Sequence, residues 1–144
     1  MRLTASRLRR IIREELLRES KTQSFKVADA AFTVKYLGYD TDDDRGKLNF
    51  KLNLGGYKGS PAAPAAYRSS FSGGTSFDAE DIAYQLIDAV SEQTGLSWAK
   101  AEADAGKGPV LDALEQAINA MASTIEPDLE KAEDDINDYA FNRY

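Results

Sequence analysis

The chain has 144 residues, a formal net charge of −6, and neither cysteine nor histidine. That composition excludes disulfides, zinc sites built on Cys or His, Cys nucleophiles and every His-dependent triad; an oxygen-ligand site for a hard cation stays open. The length suits one domain with a real core. The charge is uneven: residues 1–20 hold six arginines against Glu14, Glu15 and Glu19, so this segment carries +3 and the remainder −9. A body that acidic argues against broad binding to phosphate backbones.

In chain order, residues 4–19 predict an amphipathic helix, with Ala5, Leu8, Ile12 and Leu16 at helical spacing and Ile11 and Leu17 beside them. Its charges oppose the helix dipole, because Arg7, Arg9 and Arg10 come early and Glu14, Glu15 and Glu19 late. A helix of this length is marginal in water without a surface to pack on. Ser20–Ser24 reads as a joint, and Phe25 and Val27 as a short extended segment. Their parity does not match that of Phe32 and Val34, which calls for a bulge or turn near Asp29.

The stretch from Ala31 to Leu54 alternates apolar and polar residues around an acidic turn, Asp40–Gly46, and so predicts a β-hairpin. A register pairing Tyr36 with Phe50, Val34 with Leu52 and Phe32 with Leu54 puts these side chains on one face; Thr33, Lys35, Asn49, Lys51 and Asn53 form a solvated opposite face. A loop rich in Gly, Pro and Ala follows Leu54, and Tyr67, Ser69 and Phe71 predict a third, edge strand over 67–71.

Helices occupy the rest. Asp78–Gln93 carries Ala79, Ile82, Ala83, Leu86 and Val90 on one face, with Thr75 and Asp78 as a capping box and Gly95 as the C-terminal cap. Ser97–Ala105 predicts a short helix that buries Trp98. Pro109 opens a helix bearing Leu111, Leu114, Ile118, Met121 and Ile125; Pro127 then restarts the chain, with Leu129, Ala132, Ile136 and Tyr139 at the same spacing. The fold class expected is therefore α+β: a small antiparallel sheet (hairpin 31–54, third strand 67–71) covered by helices, a helical C-terminal half, and an amphipathic helix or leader at 1–20 ahead of a domain at 21–144.

Three patterns resemble sites. Asp40, Asp42 and Asp44 alternate as at the start of a calcium loop, but Arg45 and Lys51 stand where the motif needs Gly and a bidentate Glu, so a solvated turn is the reading and no metal is assigned. Ser72–Ser76 precedes a helix, yet lacks the Gly-Lys-Ser/Thr ending of a phosphate loop, and Asp78, Glu80 and Asp81 already occupy the positive helix end. The carboxylates Glu130, Glu133, Asp134, Asp135 and Asp138 form the polar side of the last helix. No Ser stands at a recognisable spacing from a base, so no catalytic residue, cofactor or small-molecule substrate is assigned. The order of helix, strands and helix resembles double-stranded-RNA-binding domains, but the acidic start Asp78-Ala79-Glu80-Asp81 is opposite in charge to what that module needs.

Residues 1–19, MRLTASRLRRIIREELLRE, resemble an N-terminal segment of the form LTxSxLRxIIREEL that opens otherwise unlike proteins of large tailed phages. The matching residues are Leu3, Thr4, Ser6, Leu8, Arg9, Ile11, Ile12, Arg13, Glu14, Glu15 and Leu16. The segment is also similar to the capsid-targeting leaders of internal head proteins in T-even-like phages, which end in Leu or Ile, any residue, then Glu, where a prohead protease cuts. Ile12-Arg13-Glu14 and Leu17-Arg18-Glu19 have this form. The resemblance implies a non-enzymatic virion protein, located in the virion or the host cytoplasm. Leu8, Ile11, Ile12, Leu16, Arg9 and Arg13 would contact a capsid or scaffold protein, and Glu14 and Glu19 would mark processing. A second reading from the residues alone is a small cytoplasmic adaptor or regulatory protein whose basic N-terminal helix binds an acidic partner; the plainest reading of the helix itself is packing on its own domain or, in self-association, on a dimer partner. There is no apolar run long enough for a membrane span and no secretory signal.

Overall fold

The computed structural model describes residues 21–42 and 45–142; the predicted N-terminal helix lies outside them. Four strands, β1 (Thr22–Val27), β2 (Ala30–Asp42), β3 (Arg45–Asn53) and β4 (Ala65–Ser72), form an antiparallel meander in the order β1-β2-β3-β4. Four helices follow: α1 (Ala79–Thr94), α2 (Ser97–Ala105), α3 (Pro109–Ala120) and α4 (Ala122–Asn142). The fold is α+β with a helical C-terminal half, and it has one strand more than the three named from the alternation.

The hairpin register is the one that the apolar alternation predicts, with Tyr36 opposite Phe50 and Val34 opposite Leu52. The strands run further than expected: β2 reaches Asp42 and β3 starts at Arg45, so most of the stretch from Asp40 to Gly46 is ladder rather than turn. What makes this extension possible is a bulge at Leu37. The register passes from Tyr36–Phe50 to Gly38–Asn49, leaving Leu37 unpaired and half exposed. Gly38 has φ +113°, a conformation that a side chain would oppose. The extra residue reverses the parity of β2, so that Tyr39 opposite Leu48 joins the inner face while Asp40 opposite Lys47 goes outward.

The parity mismatch near Asp29 is resolved by a turn. Ala28 and Asp29, both at positive φ, make a two-residue connection of the primed kind that matches strand twist. It sets Phe25 directly opposite Phe32, their rings stacked with centroids 5.1 Å apart. At the far end of the sheet Gly46 faces Phe71, whose ring lies where a Cβ on Gly46 would be (2.2 Å), so the glycine makes room for the aromatic cover.

All four helices lie on the inner face of the sheet or on each other: α1 along β4, α3 along β1, α4 along β2 and β3, and α2 on α1. Phe32, Val34, Leu48 and Phe50 from the sheet, with Leu54 just after β3, meet Leu86, Ile87, Leu114, Ile118 and Ile125 in a continuous core. The loop after β3 contributes to it too. Tyr57, in a single 3-10 turn (Tyr57–Gly59), packs edge-on against Trp98 and tilted against Phe32, at centroid distances of 5.2 and 5.5 Å. The Trp98 indole donates to Ser60 Oγ at 2.8 Å, and Ser60 Oγ in turn donates to the Tyr57 carbonyl, so the loop is pinned to α2.

Two predicted helix boundaries are corrected. Asp78 alone caps α1, its carboxylate accepting from the amides of Glu80 and Asp81 at 3.1 and 3.3 Å. Thr75 does not enter a capping box, because its hydroxyl is engaged with both the amide and the carbonyl of Ser72, closing the turn after β4. The chain restarts at Met121 rather than at Pro127: the Met121 amide still bonds back to Ile118, while its carbonyl accepts from Thr124 and Ile125. Pro127 sits inside α4. It removes the N–H that would reach the Ser123 carbonyl, one turn from the helix start and on an exposed residue, where that carbonyl is open to solvent. Gly95, at φ +70°, and Pro109, at the first turn of α3, play the roles predicted for them.

Phe50 is fully enclosed between the sheet and the helices. Phe50→Ala should therefore destabilise the protein by about 3–5 kcal/mol in chemical denaturation, the usual cost of emptying a buried Phe site.

Candidate functional site

Leu8, Ile11, Ile12, Leu16, Arg9, Arg13, Glu14 and Glu19 lie outside the described residues, as does Asp44. Asp40 and Asp42 both project from β2 to the outer side of the sheet, opposite Lys47 and Arg45. Asp40 also accepts from the Asn49 side-chain amide at 3.0 Å. Among the described residues no group of three or more His, Cys, Asp or Glu is placed to hold a metal ion.

Two polar clusters tie helices to the core. On the inner face, the Tyr36 hydroxyl donates to Asp128 at 2.7 Å and the Tyr39 hydroxyl to Asp135 at 3.2 Å. Asp128 and Asp135 are two helical turns apart on α4, and the Leu37 bulge puts the two tyrosines on the side that meets them. Burial first, and then the carboxylate of Asp128, push the Tyr36 hydroxyl far above its ordinary pKa, so it remains a donor. The second cluster centres on Glu102, a buried acid in α2 whose Oε1 accepts the Leu111 amide at 2.8 Å. It thus supplies the cap that Gly108, without a side chain, does not give α3. Gly108 is required for this approach, since a Cβ there would stand 2.2 Å from Glu102 Oε1. Burial raises the Glu102 carboxyl pKa, and the amides of Leu111 and Val110 partly offset it.

The outer face of the sheet is the least covered surface built by the strands. Lys26, Lys35, Lys47, Lys51 and Arg68 all stand on it and are all exposed. The register puts Lys35 directly opposite Lys51. Directly opposed side chains have Cβ atoms about 4.5–5.5 Å apart, and like charges so placed destabilise a sheet. The charge is divided along the chain in the same way. Residues 21–72 carry eight Lys and Arg against five Asp, whereas residues 73–144 carry four against sixteen Asp and Glu. The sheet's outer face therefore carries an excess of cations, with Asp40 and Asp42 beside Lys47 and Arg45 as its carboxylates, while most of the acidic residues lie in the helical half.

The hairpin alternation correctly predicts that Lys35 and Lys51 share the solvated face. The opposition of the two lysines follows from pairing Tyr36 with Phe50, but net charge averaged over the whole body conceals it. The acidic loop and helix start at Ser72–Asp81 prove to be capping and turn geometry, as expected for a capped helix. No protein-family model, curated protein or solved structure matches the chain.

Two measurements check these assignments. Lys35→Glu should raise stability by about 0.2–1 kcal/mol, because it turns a like-charge pair into an opposite one; a variant less stable than the wild type would refute the repulsion. For Glu102, whose pKa is raised on folding from an ordinary 4.5, the folded state binds the proton more tightly than the unfolded one. Its contribution is then fully present below about pH 4.5 and is lost as the pH rises through the raised value. Glu102→Gln keeps an acceptor for Leu111 and should abolish this part of the pH dependence of stability, whereas Glu102→Ala should destabilise at every pH by leaving that amide unpaired.

Proposed function

We propose that this protein is a non-enzymatic, head-associated or internal component of a tailed-phage virion, in which residues 1–20 dock on a capsid or scaffold protein and residues 21–144 form the delivered body. The observation that carries this reading is the LTxSxLRxIIREEL-type segment with its two protease-like tripeptides, Ile12-Arg13-Glu14 and Leu17-Arg18-Glu19. The body is consistent with such an arrangement. Its core is continuous from Val27 to Leu129, so its apolar faces already have partners within residues 21–142. Its buried polar groups Ser60 and Glu102 are engaged in structural hydrogen bonds. Among the described residues no helix is long and apolar enough to cross a membrane.

The test separates leader from body. Deleting residues 1–19 should leave the melting transition of the remainder nearly unchanged while abolishing incorporation into phage heads, and Leu8→Asp with Ile12→Asp should do the same without deletion. Mass spectrometry of mature particles should find a new N-terminus at Glu15 or Ser20. Particles that retain Met1 and incorporate the double Asp variant normally would refute the proposal.

A further inference from the structure

We infer that the outer face of the sheet is a docking surface for the acidic helical side of a second copy of this chain, so that the protein assembles head to tail through charge. This inference does not depend on the leader or on the virion reading.

The first observation is the opposition of Lys35 and Lys51 in neighbouring strands. The pair costs stability in the isolated chain, and an anionic partner laid across it turns that repulsion into shared attraction. Lys26 and Arg68, on the two edge strands, extend the positive surface to both sides of the pair. The second observation is the partner's chemistry. The outward positions bear Thr, Ser, Asn and Ala between the cations, with Asp40 and Asp42 confined to the far end of the hairpin opposite Lys47 and Arg45, and none of the described ones carries an aromatic ring on which a base could stack. That favours a polyanionic protein surface over single-stranded nucleic acid. With the helices packed on its other side, this face also presents no helix to enter a duplex groove.

The third observation is that the chain itself carries a fitting surface. Glu126, Glu130, Glu133 and Asp134 are exposed on α4 at helical spacing of three and four. α4 packs its core side on β2 and β3, and Glu126, Glu130 and Glu133 border the groove beside the loop at 74–77, so this carboxylate stripe lies in the helical layer, while the lysines lie on the sheet's other side. The two surfaces therefore cannot meet within one molecule. They can meet between molecules, and the contact is heterologous: sheet face on helix face. Repetition of such a contact gives a ring if its rotation closes and a filament if it does not. Being electrostatic and exposed, it is sensitive to salt, which screens charges beyond about 8 Å at physiological ionic strength.

Sedimentation velocity on the full chain tests this. Wild-type protein should self-associate in a concentration-dependent way at about 50 mM salt, with the association at least about tenfold weaker at about 500 mM. Lys35→Glu/Lys51→Glu and Glu130→Lys/Glu133→Lys should each be monomeric alone, and an equimolar mixture of the two should associate again, because one then has two acidic faces and the other two basic ones. Single Lys35→Glu should lower association while raising the melting temperature, a combination that misfolding would not produce. The inference is overturned if the wild type remains monomeric at low salt up to about 1 mM, if association is indifferent to the lysine substitutions, or if mixing the two charge-reversed variants restores nothing. It is equally overturned if a DNA duplex binds the wild type in a Lys35- and Lys51-dependent manner while the protein alone stays monomeric, an outcome that would assign the face to nucleic acid.

Discussion

The constraint on which the rest depends is the pairing of Tyr36 with Phe50. It commits Phe32, Val34, Tyr36, Leu48, Phe50 and Leu52 to one side of the sheet, and a slip of a single residue would turn that whole set to solvent. A sheet with one apolar face needs cover on that face only. The helices supply it, and the opposite face stays bare with its lysines. The two-sided charge of the molecule is thus a consequence of where the hydrophobic residues fall.

A second layer of interactions makes this arrangement specific. Leu37 is inserted without a partner, and the insertion turns Tyr39 inward beside Tyr36, so that two hydroxyls meet Asp128 and Asp135 on a single helix. Each hydrogen bond to a carboxylate contributes about 1.5–3 kcal/mol where it is shielded from water, and less at an exposed site; the buried Tyr36 is the stronger of the two. Their larger effect is to set the rotation of α4 about its axis, because Leu129, Ala132 and Ile136 must enter the core while Glu130 and Glu133 remain outside. Glu102 acts similarly for α3: it reaches from one helix to cap the next, across a glycine that leaves room for it.

Edges and loops are closed by local means. The Gln85 side chain accepts from the Ser70 amide at 2.8 Å and donates to the Ser70 carbonyl at 3.1 Å, so one side-chain amide occupies β4 where another strand would otherwise pair. Thr75 does the same for Ser72 through its hydroxyl and its own backbone amide. That edge is thereby partly blocked against strand addition at β4.

What the sequence by itself determined was everything governed by period and by local backbone chemistry: the register of the hairpin, from alternation in two runs of matching parity; the helices and their buried faces, from spacing of three and four; and the ends at Gly95 and Pro109, from the conformations those residues prefer. It also placed Lys35 and Lys51 on one solvated face. What only the tertiary structure decided depends on residues distant in the chain. The bulge at Leu37 brings two tyrosines against a helix roughly ninety residues later; locally only Gly38 inside the alternating run marks it, and the partners it serves are set by the tertiary structure. Tyr57 belongs to the core because Trp98 and Phe32 surround it, although a Gly- and Pro-rich segment reads as loop. Pro127 stays within α4 because the packing of Ile125 and Leu129 on either side outweighs one missing hydrogen bond. The excess of cations on one face is likewise a property of the folded molecule, since it needs the sheet to fold with one side covered before the lysines and the carboxylates of the helices come to lie on opposite sides of it.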